Sequence, residues 1–204
     1  MNPLRIGVCL LVISYLFSSC AASYKPINPS KLHYPQSDQK DTFQYKYDVL
    51  LYSNNKKFAK KEIKTQIRIA AVKIYNNTGQ TLKYGVNYKI FSDDREVDLL
   101  PIAEVTRHIK EIVPTYLLYM LFTPTTLTTT SGTSSNRIPI GLILGPVLTA
   151  INVGVAATAN KHFRQEMEEY NLAEKEIANG ETVYGLIGIQ SQDAAPLYMR
   201  VTGK

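Results

Sequence analysis

The sequence has almost no cysteine and none of the common catalytic motifs. Its only cysteines are Cys9 and Cys20, both within the first twenty of 204 residues. A body built from the residues after Cys20 therefore has no thiol, no disulfide and no thiolate ligand for a metal. The motifs Gly-x-Ser-x-Gly and His-Glu-x-x-His and a phosphate-binding glycine loop are also absent. These absences predict a protein that is not an enzyme and that holds no cofactor and no metal.

A large excess of charge of one sign is absent as well. The chain carries 23 basic and 17 acidic residues, a net charge of +6, and Arg5 is the only charged residue among residues 1–19. This excess is well below that of nucleic-acid-binding proteins, so no nucleic-acid partner is predicted. A mild positive charge is better suited to an anionic membrane surface or a cell-wall polymer.

The first twenty residues are the most informative segment. Arg5 precedes an apolar run from Ile6 to Phe17, and Ser18-Ser19 separates this run from Cys20. A basic start, a short apolar run and small residues are the layout of a secretory signal peptide. The run has about 12 residues, too few for the roughly 20 that span a bilayer. Residues 1–19 are therefore predicted to be a signal peptide.

The sequence Phe17-Ser18-Ser19-Cys20 resembles the lipobox of bacterial lipoproteins. The resemblance implies that Cys20 receives a lipid and becomes the first residue of the mature chain. A plain secretory signal that is cut near Ala21 or Ala22 is the alternative. Under the first interpretation, the partner is a membrane that the protein reaches through the lipid on Cys20, and the location is the bacterial cell envelope.

The residues after the signal divide into a tether and a folded body. Residues 20–42 hold three prolines among polar residues and show little periodicity, which is typical of an extended spacer. Residues 43–204 are predicted to form an α+β domain, an antiparallel immunoglobulin-like sandwich of about seven short strands. The doubled Ala70-Ala71 shifts the strand period and predicts a bulge, and Asn179-Gly180 predicts a hairpin turn. The predicted strands are 43–51, 63–75, 82–90, 97–100, 171–177, 182–190 and 197–202.

A helical insertion at about residues 101–170 is predicted to interrupt the strands. Apolar residues recur every three or four positions from Ile102 to Met120, which is the spacing of a helix, and Pro114 is expected to kink it. A Thr- and Ser-rich loop follows at residues 123–136. A second helix is predicted from Pro146 to Tyr170, so the insertion is expected to be a two-helix hairpin.

The insertion is unusually apolar. Between Ile112 and Asn160 the only charged residue is Arg137. Three interpretations stay open: the hairpin packs on itself and on the sandwich, it meets a partner protein or a second copy, or its tip enters a membrane. The spacing Ala150-x-x-x-Gly154 predicts close helix packing, so Gly154→Leu is expected to destabilise the fold. The residues expected at a partner or membrane surface are Tyr116, Tyr119, Phe122, Ile151 and Val155.

A cluster of basic residues is predicted to lie in the loop before the second strand. One interpretation is contact with anionic lipid head groups, and the other is a solvated strand edge that resists aggregation. The lysines of this anionic-surface contact are Lys56, Lys57, Lys60, Lys61 and Lys64.

Few other polar residues suggest chemistry. Glu104 and His108 are four residues apart on a predicted helix, as are His162 and Glu166, and surface ion pairs explain this spacing better than metal ligation does. One acidic cluster occurs in a predicted hairpin turn and the strand that follows, where solvated charge is more natural than a catalytic pair. Its members are Asp93, Asp94, Glu96 and Asp98.

Three segments together suggest a family: the ending of the signal at Cys20, the Asn-Asn-Thr-Gly turn at 76–79, and Asn-Gly-Glu-Thr-Val-Tyr-Gly-Leu-Ile at 179–187. With them the chain resembles uncharacterised lipoproteins of Bacteroidetes-type bacteria. The resemblance implies a place in the cell envelope, at the outer membrane facing the periplasm. We expect a membrane-anchored, non-enzymatic binding or scaffold module whose partner is an envelope protein or a second copy of the chain. The alternative is an envelope hydrolase or a carbohydrate-binding accessory domain.

Overall fold

The structure is a computed structural model that describes residues 20–38, 42–131 and 134–202. The predicted signal peptide, residues 1–19, lies outside the described residues. The chain forms two compact units. Of the described residues, unit 1 comprises 20–23, 111–131 and 134–159, and unit 2 comprises 24–38, 42–110 and 160–202.

The described residues form antiparallel sheets and four α-helices, so the predicted α+β class is confirmed. Two 3-10 helices are present in addition, at Pro29–Lys31 and Val113–Phe122. The strands and α-helices in chain order are β1 (Gln36–Ser37), β2 (Phe43–Lys46), α1 (Val49–Tyr52), α2 (Lys56–Thr65), β3 (Ile67–Tyr75), β4 (Leu82–Lys83), β5 (Tyr88–Ser92), β6 (Arg95–Glu96), α3 (Ile102–His108), β7 (Leu127–Ser131), β8 (Ser134–Ile138), α4 (Gly141–Glu169), β9 (Glu176–Ile177), β10 (Thr182–Gln190) and β11 (Leu197–Val201).

A four-stranded antiparallel sheet of order β1-β2-β3-β10 forms the centre of unit 2. Strands β3 and β10 pair without interruption, from Ile67 opposite Gln190 to Tyr75 opposite Thr182. Successive side chains of a strand point to opposite faces, and the middle of both strands is buried on both faces. The sheet is therefore covered on each side.

A second layer of strands covers one face. It contains a three-stranded sheet of order β11-β5-β6 and the pair β4-β9. Burial of the apolar side chains between the layers is the main stabilising contribution in unit 2. These residues are Phe43, Tyr45, Tyr47, Ala70, Val72, Ile74, Leu82, Tyr88, Ile90, Leu172, Ile177, Val183, Ile187, Ile189 and Leu197.

Helices cover the other face. Helix α2 approaches it through the buried Glu62, whose Oε1 accepts a hydrogen bond of 2.8 Å from the backbone N–H of Ile69. Helix α3 approaches it through Val105, and a Cβ added to Gly188 of β10 would lie 2.3 Å from a Val105 methyl group. The central sheet thus has strands on one side and helices on the other. The finer prediction, an immunoglobulin-like sandwich, is not confirmed.

Two predicted details of the strands are wrong. Strand β3 has no bulge at Ala70-Ala71, because its pairing with β10 is continuous there. The doubled alanine instead reflects a strand that is buried on both faces. The first predicted strand, residues 43–51, ends at Lys46, and Asp48 takes a φ of 55° before α1 begins.

The pairing of the shorter strands also differs from the prediction. Asn179-Gly180 forms a turn, with Gly180 at a φ of 83°, but β9 pairs with β4 and not with β10. Residues 97–100 form no strand, and Leu99 contributes a single bridge to Ile189.

The segment predicted to be an extended tether is packed on unit 2 from Tyr24 onward. Tyr24 and Ile27 are buried, and β1 joins the central sheet beside β2. The prediction of a spacer over residues 20–42 is therefore wrong for residues 24–37. The buried side chains, those of Tyr24, Ile27 and Pro29, are too few to produce a periodicity, so the sequence pattern does not reveal them.

Unit 1 contains one long helix and not the predicted pair. The first predicted helix is divided into α3, which belongs to unit 2, and the 3-10 helix Val113–Phe122. The Thr- and Ser-rich segment forms the hairpin β7-β8 and not a loop. Helix α4 begins at Gly141 and includes Pro146 within its second turn.

Within unit 1, helix α4 packs closely at Gly141 and Gly145 and not at Gly154, the predicted position. A Cβ on Gly141 would lie 2.2 Å from the backbone oxygen of Phe122, and one on Gly145 would lie 2.5 Å from Thr123 Oγ1. A Cβ on Gly154 would meet no atom within 4 Å. The expectation that Gly154→Leu destabilises the fold by overpacking is therefore wrong.

Candidate functional site

The residues that follow Cys20 are hydrogen-bonded to unit 1. Cys20 is exposed. The backbone N–H of Ala21 donates to Oδ1 of Asn152 at 2.6 Å, and the N–H of Ala22 donates to Oε1 of Glu111 at 3.3 Å. The methyl group of Ala21 packs against the apolar core of unit 1. The chain beside Cys20 is therefore fixed, and not a free end.

The two polar side chains that hold it, those of Asn152 and Glu111, are buried. Glu111 also accepts a hydrogen bond from the hydroxyl of Tyr116, and the Nδ2 of Asn152 donates to the Leu148 carbonyl of its own helix. Sequence reasoning did not assign either residue to the site. The available signal was Asn152 itself, an amide within an uncharged apolar run, because such a group needs a partner when it is buried.

The aromatic residues predicted for the surface face inward. Tyr116 and Tyr119 are buried, and Tyr119 packs against the half-buried Phe122 with ring centroids 6.3 Å apart. Val155 is half-buried, and Ile151 is exposed. The prediction of a surface position is wrong for Tyr116 and Tyr119, because their rings fill the core between the 3-10 helix and α4.

Other apolar side chains form the exposed surface of unit 1. Of the eighteen large apolar side chains that the described residues expose, twelve lie between residues 112 and 151. Monomeric soluble proteins rarely expose so many apolar side chains in one segment. These twelve are Ile112, Leu117, Leu118, Met120, Leu121, Leu127, Ile138, Leu142, Ile143, Leu144, Val147 and Ile151.

Helix α4 has the length and composition of a membrane-crossing helix, which is weak support for a membrane role by itself. Within its most apolar window of 18 residues, 28 % of the residues are buried. A core helix of a soluble protein passes the same test of length and composition but is mostly buried. The apolar half of α4 is thus largely uncovered by the described protein.

A buried carboxylate in unit 2 holds the segment that leaves unit 1. Glu166 of α4 accepts hydrogen bonds from the Tyr24 hydroxyl at 2.5 Å and from the backbone N–H groups of Ile27 and Asn28. Burial, followed by the nearby charge of Glu166, raises the pKa of Tyr24, so its hydroxyl stays a donor. This carboxylate therefore belongs to a structural contact and not to a metal site.

The predicted lysine cluster lies on a helix and not in a loop. Lys56, Lys57, Lys60, Lys61 and Lys64 all belong to α2, whose opposite face buries Phe58, Ala59 and Glu62. The lysines are exposed or half-exposed. Their contact with an anionic surface stays a prediction, and the alternative of a solvated strand edge is replaced by the solvated face of an amphipathic helix.

The acidic cluster borders an open depression. Asp93, Glu96 and Asp98 line a concavity of about 760 Å³ in unit 2. Glu96 forms an ion pair of 2.7 Å with Lys89. Asp94 accepts hydrogen bonds from Tyr198 and Arg200, which hold its pKa below the ordinary value.

The two Glu/His pairs, Glu104 with His108 and His162 with Glu166, are not brought together as metal ligands. His108 contacts Arg107 on the exposed side of α3, and the Glu166 carboxylate faces Tyr24. Among the described residues, no group of three or more His, Cys, Asp or Glu side chains is placed to hold a metal ion.

A shallow groove follows the edge strand β11. It has a volume of about 760 Å³ and is bordered by Tyr45 of β2 and by the β11 residues Tyr198 and Arg200, among others. The guanidinium of Arg200 lies 4.8 Å from the centroid of the Phe91 ring. These groups make a polar and aromatic surface along the edge of the sheet.

Family models, curated proteins and solved structures contain no match to the chain.

Proposed function

We propose that the protein is a lipid-anchored, non-enzymatic binding or scaffold module of the bacterial cell envelope, held at a membrane by a lipid on Cys20. The observation that carries the proposal is the pair of hydrogen bonds from Ala21 and Ala22 to Asn152 and Glu111. They hold the lipid-carrying residue on the unit that exposes twelve large apolar side chains. The lipid on Cys20 and the apolar surface of unit 1 are then next to each other.

The resemblance of residues 17–20 to a lipobox supports the outer membrane, on its periplasmic side, as the location. An envelope protein or a second copy of the chain is the proposed binding partner. The immunoglobulin-like arrangement stays a proposal for unit 2. The two facing layers of strands support it, whereas the helices on the other face of the central sheet do not.

The test is the chemical state of Cys20. The full chain and its Cys20→Ala variant are expressed in a bacterium that processes lipoproteins, and the mature protein is analysed by fractionation and intact mass. We expect the unsubstituted chain to start at a lipid-modified Cys20 and to sediment with membranes. The control is Cys9→Ala, which lies in the predicted signal and should behave like the unsubstituted chain. A mature chain that starts at Ala21 or Ala22 without lipid would overturn the proposal.

A second candidate function is the envelope hydrolase or carbohydrate-binding domain, because Asp93, Glu96 and Asp98 border one depression. A general acid needs a raised pKa, whereas Asp94 beside them has a lowered one, and Glu96 is already paired with Lys89. The test compares binding and cleavage of envelope polysaccharides by the protein and by Asp98→Asn. Turnover that this substitution abolishes would favour the hydrolase.

A further inference from the structure

We propose that the apolar surface of unit 1 lies flat in one leaflet of the bilayer, beside the lipid of Cys20, and gives the protein a second membrane contact. The proposal rests on the proposed function for the identity of the membrane. Three observations support the contact itself: the exposed faces of α4 and of the 3-10 helix, the topology of the insertion, and the polarity of its hairpin.

Helix α4 has a continuous exposed face without charge. Ile143, Val147 and Ile151 are exposed, at spacings of four residues that keep them on one side of the helix, and Leu142 is exposed next to them. The opposite side packs inward through glycine and alanine, and it holds Asn152 against Ala21. Within the 49 residues of Glu111–Ala159, the only charged side chains are Glu111, which is buried, and Arg137.

The 3-10 helix repeats this division with a period of three. Tyr116 and Tyr119 face inward, while Leu117, Leu118 and Leu121 are exposed to between 56 and 73 %. Residues three apart share a face of a 3-10 helix, so its leucines form a second apolar surface. A bilayer interface suits such a surface because the strength of binding increases with the apolar area that it buries.

The strands before and after the insertion pair with each other, and this pairing excludes a single crossing of the membrane. Residues 111–159 leave unit 2 after Lys110 and return to it at Asn160. Strand β3 precedes the insertion and β10 follows it, and the two pair along their whole length. Both ends of the insertion therefore lie on the same side of the membrane.

A double crossing is excluded by length. Helix α4 would supply one leg, and the 3-10 helix of 10 residues would have to supply the other. At a rise of about 2.0 Å per residue, the 3-10 helix spans roughly 20 Å. The hydrocarbon core is about 30 Å thick. The insertion thus enters the membrane without crossing it.

Entry by the tip is disfavoured by the hairpin β7-β8. This two-stranded hairpin is rich in Thr and Ser and carries Arg137. Among the described strands neither β7 nor β8 has a second partner, and backbone groups at an open sheet edge are too costly in hydrocarbon. A flat orientation keeps the hairpin at the level of the head groups and allows α4 and the 3-10 helix to bury their exposed faces. This orientation replaces the insertion at the tip that the sequence suggested.

The first test uses the chain from residue 20 to 204 with Cys20→Ser, which has no lipid. It is mixed with vesicles of neutral phosphatidylcholine, so that the lysines of α2 contribute little, and the bound fraction is measured by flotation. Ile143→Glu is expected to lower partitioning at least about tenfold. Val86→Glu is the matched control, because Val86 has nearly the same exposure but belongs to unit 2. Circular dichroism checks that both variants fold.

The results separate this proposal from the proposed function. Absence of vesicle binding by the Cys20→Ser chain would overturn the second contact, whereas the lipid on Cys20 is measured separately in cells. A homo-oligomer that Ile143→Glu dissociates, without vesicle binding, would assign the surface to a second copy and also overturn the proposal.

The second test measures depth and uses the absence of tryptophan from the chain. Single tryptophans are placed at Ile143 on the exposed face of α4 and at Thr130 in the hairpin. On vesicles, Ile143→Trp should shift its emission to the blue and be quenched by a spin label high on the acyl chain. Thr130→Trp should not be quenched by a label near the bilayer centre. Quenching of Thr130→Trp by the deep label would show entry by the tip and overturn the flat orientation.

Discussion

The Glu62 carboxyl lies between α2 and the central sheet with 1 % of its surface exposed. Burial raises its pKa to about 7, and the hydrogen bond from Ile69 and the charge of Arg68 offset only part of this effect. The charge of Asp48 raises it slightly further. The folded protein therefore binds a proton at Glu62 at pH values where the unfolded chain, with an ordinary pKa near 4.5, has released it.

This difference predicts the direction of the pH dependence of stability. Between about pH 4.5 and 7, Glu62 holds more protons in the folded state than in the unfolded state, so its contribution to the free energy of unfolding falls as the pH rises, by about 3 kcal/mol in all. Glu62→Gln keeps the acceptor for Ile69 and has no charge to bury. We expect it to match the unsubstituted protein at pH 4.5 and to exceed it by about 1–3 kcal/mol at pH 8.

Urea unfolding at several pH values measures this effect. The exposed Glu174→Gln is the control for the loss of one negative charge. If the stability of Glu62→Gln and that of the unsubstituted protein fall equally between pH 5 and 7, folding does not suppress the ionisation of Glu62.

Tyr24 connects the segment after Cys20 to the body of unit 2. Its hydroxyl donates to Glu166, and its ring packs against Phe58 and Phe163 at centroid distances of 5.4 and 5.7 Å. Tyr24→Phe keeps the ring and leaves a buried carboxylate with one donor fewer. We expect a loss of about 1–3 kcal/mol in the free energy of unfolding and faster proteolysis within residues 20–38.

The matched control is Tyr52→Phe, because Tyr52 is exposed and Lys46 contacts its ring face, which the substitution keeps. It should change stability by less than about 0.5 kcal/mol. Equal stability of Tyr24→Phe and Tyr52→Phe would show that the hydrogen bond to Glu166 does not hold the segment.

At the scale of elements, the packing of α4 on the 3-10 helix depends on Gly141. An added methyl group would lie 2.2 Å from the backbone oxygen of Phe122 and 2.5 Å from that of Thr123. Backbone atoms cannot move aside as the end of a flexible side chain can, so Gly141→Ala is expected to cost roughly 1–3 kcal/mol. Hydrogen exchange of the α4 amides should report the loss, since it measures local opening.

Gly154→Ala is the matched substitution in the same helix. Its Cβ meets open space, and alanine favours a helix over glycine by up to about 1 kcal/mol. Protection of the α4 amides should therefore rise in this variant. A similar loss of protection in both variants would indicate that propensity, and not the contact with residues 122–123, governs the helix.

The sequence pattern predicts some elements well for a physical reason. Strand β10 has the predicted bounds, and the turn at Asn179-Gly180 is present, because alternation and turn residues are local properties. The partner of β10 is the distant β3, and a local pattern does not encode it. The spacing of Tyr116 and Tyr119 fits both an α-helix and a 3-10 helix. The sequence alone therefore does not show that these rings point inward.

The candidate site is only partly predictable for a similar reason. Cys20 is predicted as a lipid-carrying residue from residues 17–19, which are adjacent to it in the chain. Glu111 and Asn152 are identified only when folding brings them to Ala21 and Ala22. The exposed stripe of α4 is also difficult to predict from the sequence, because leucine and isoleucine lie on its exposed side, whereas its buried side consists of glycine, alanine, Thr149 and Asn152.

At the scale of the whole molecule, each unit has an apolar cluster of its own among the described residues. The cluster of unit 2 draws on both strand layers, and the cluster of unit 1 on Tyr116, Tyr119 and Ala156 with their neighbours. The strands on either side of the insertion pair with each other, so unit 2 closes its own sheet.

Unit 2 is therefore expected to fold without unit 1. The test replaces residues 111–159, in a chain that starts at Tyr24, with a flexible Gly/Ser linker of about 12 residues, which spans roughly 20 Å on average. Urea unfolding, followed by circular dichroism, should give one cooperative transition, because the sheet and the contact of Tyr24 with Glu166 are kept. The shortened chain should not partition into neutral vesicles. A broad transition without cooperativity would contradict this division, because it would mean that the core of unit 2 needs residues 111–159 to form.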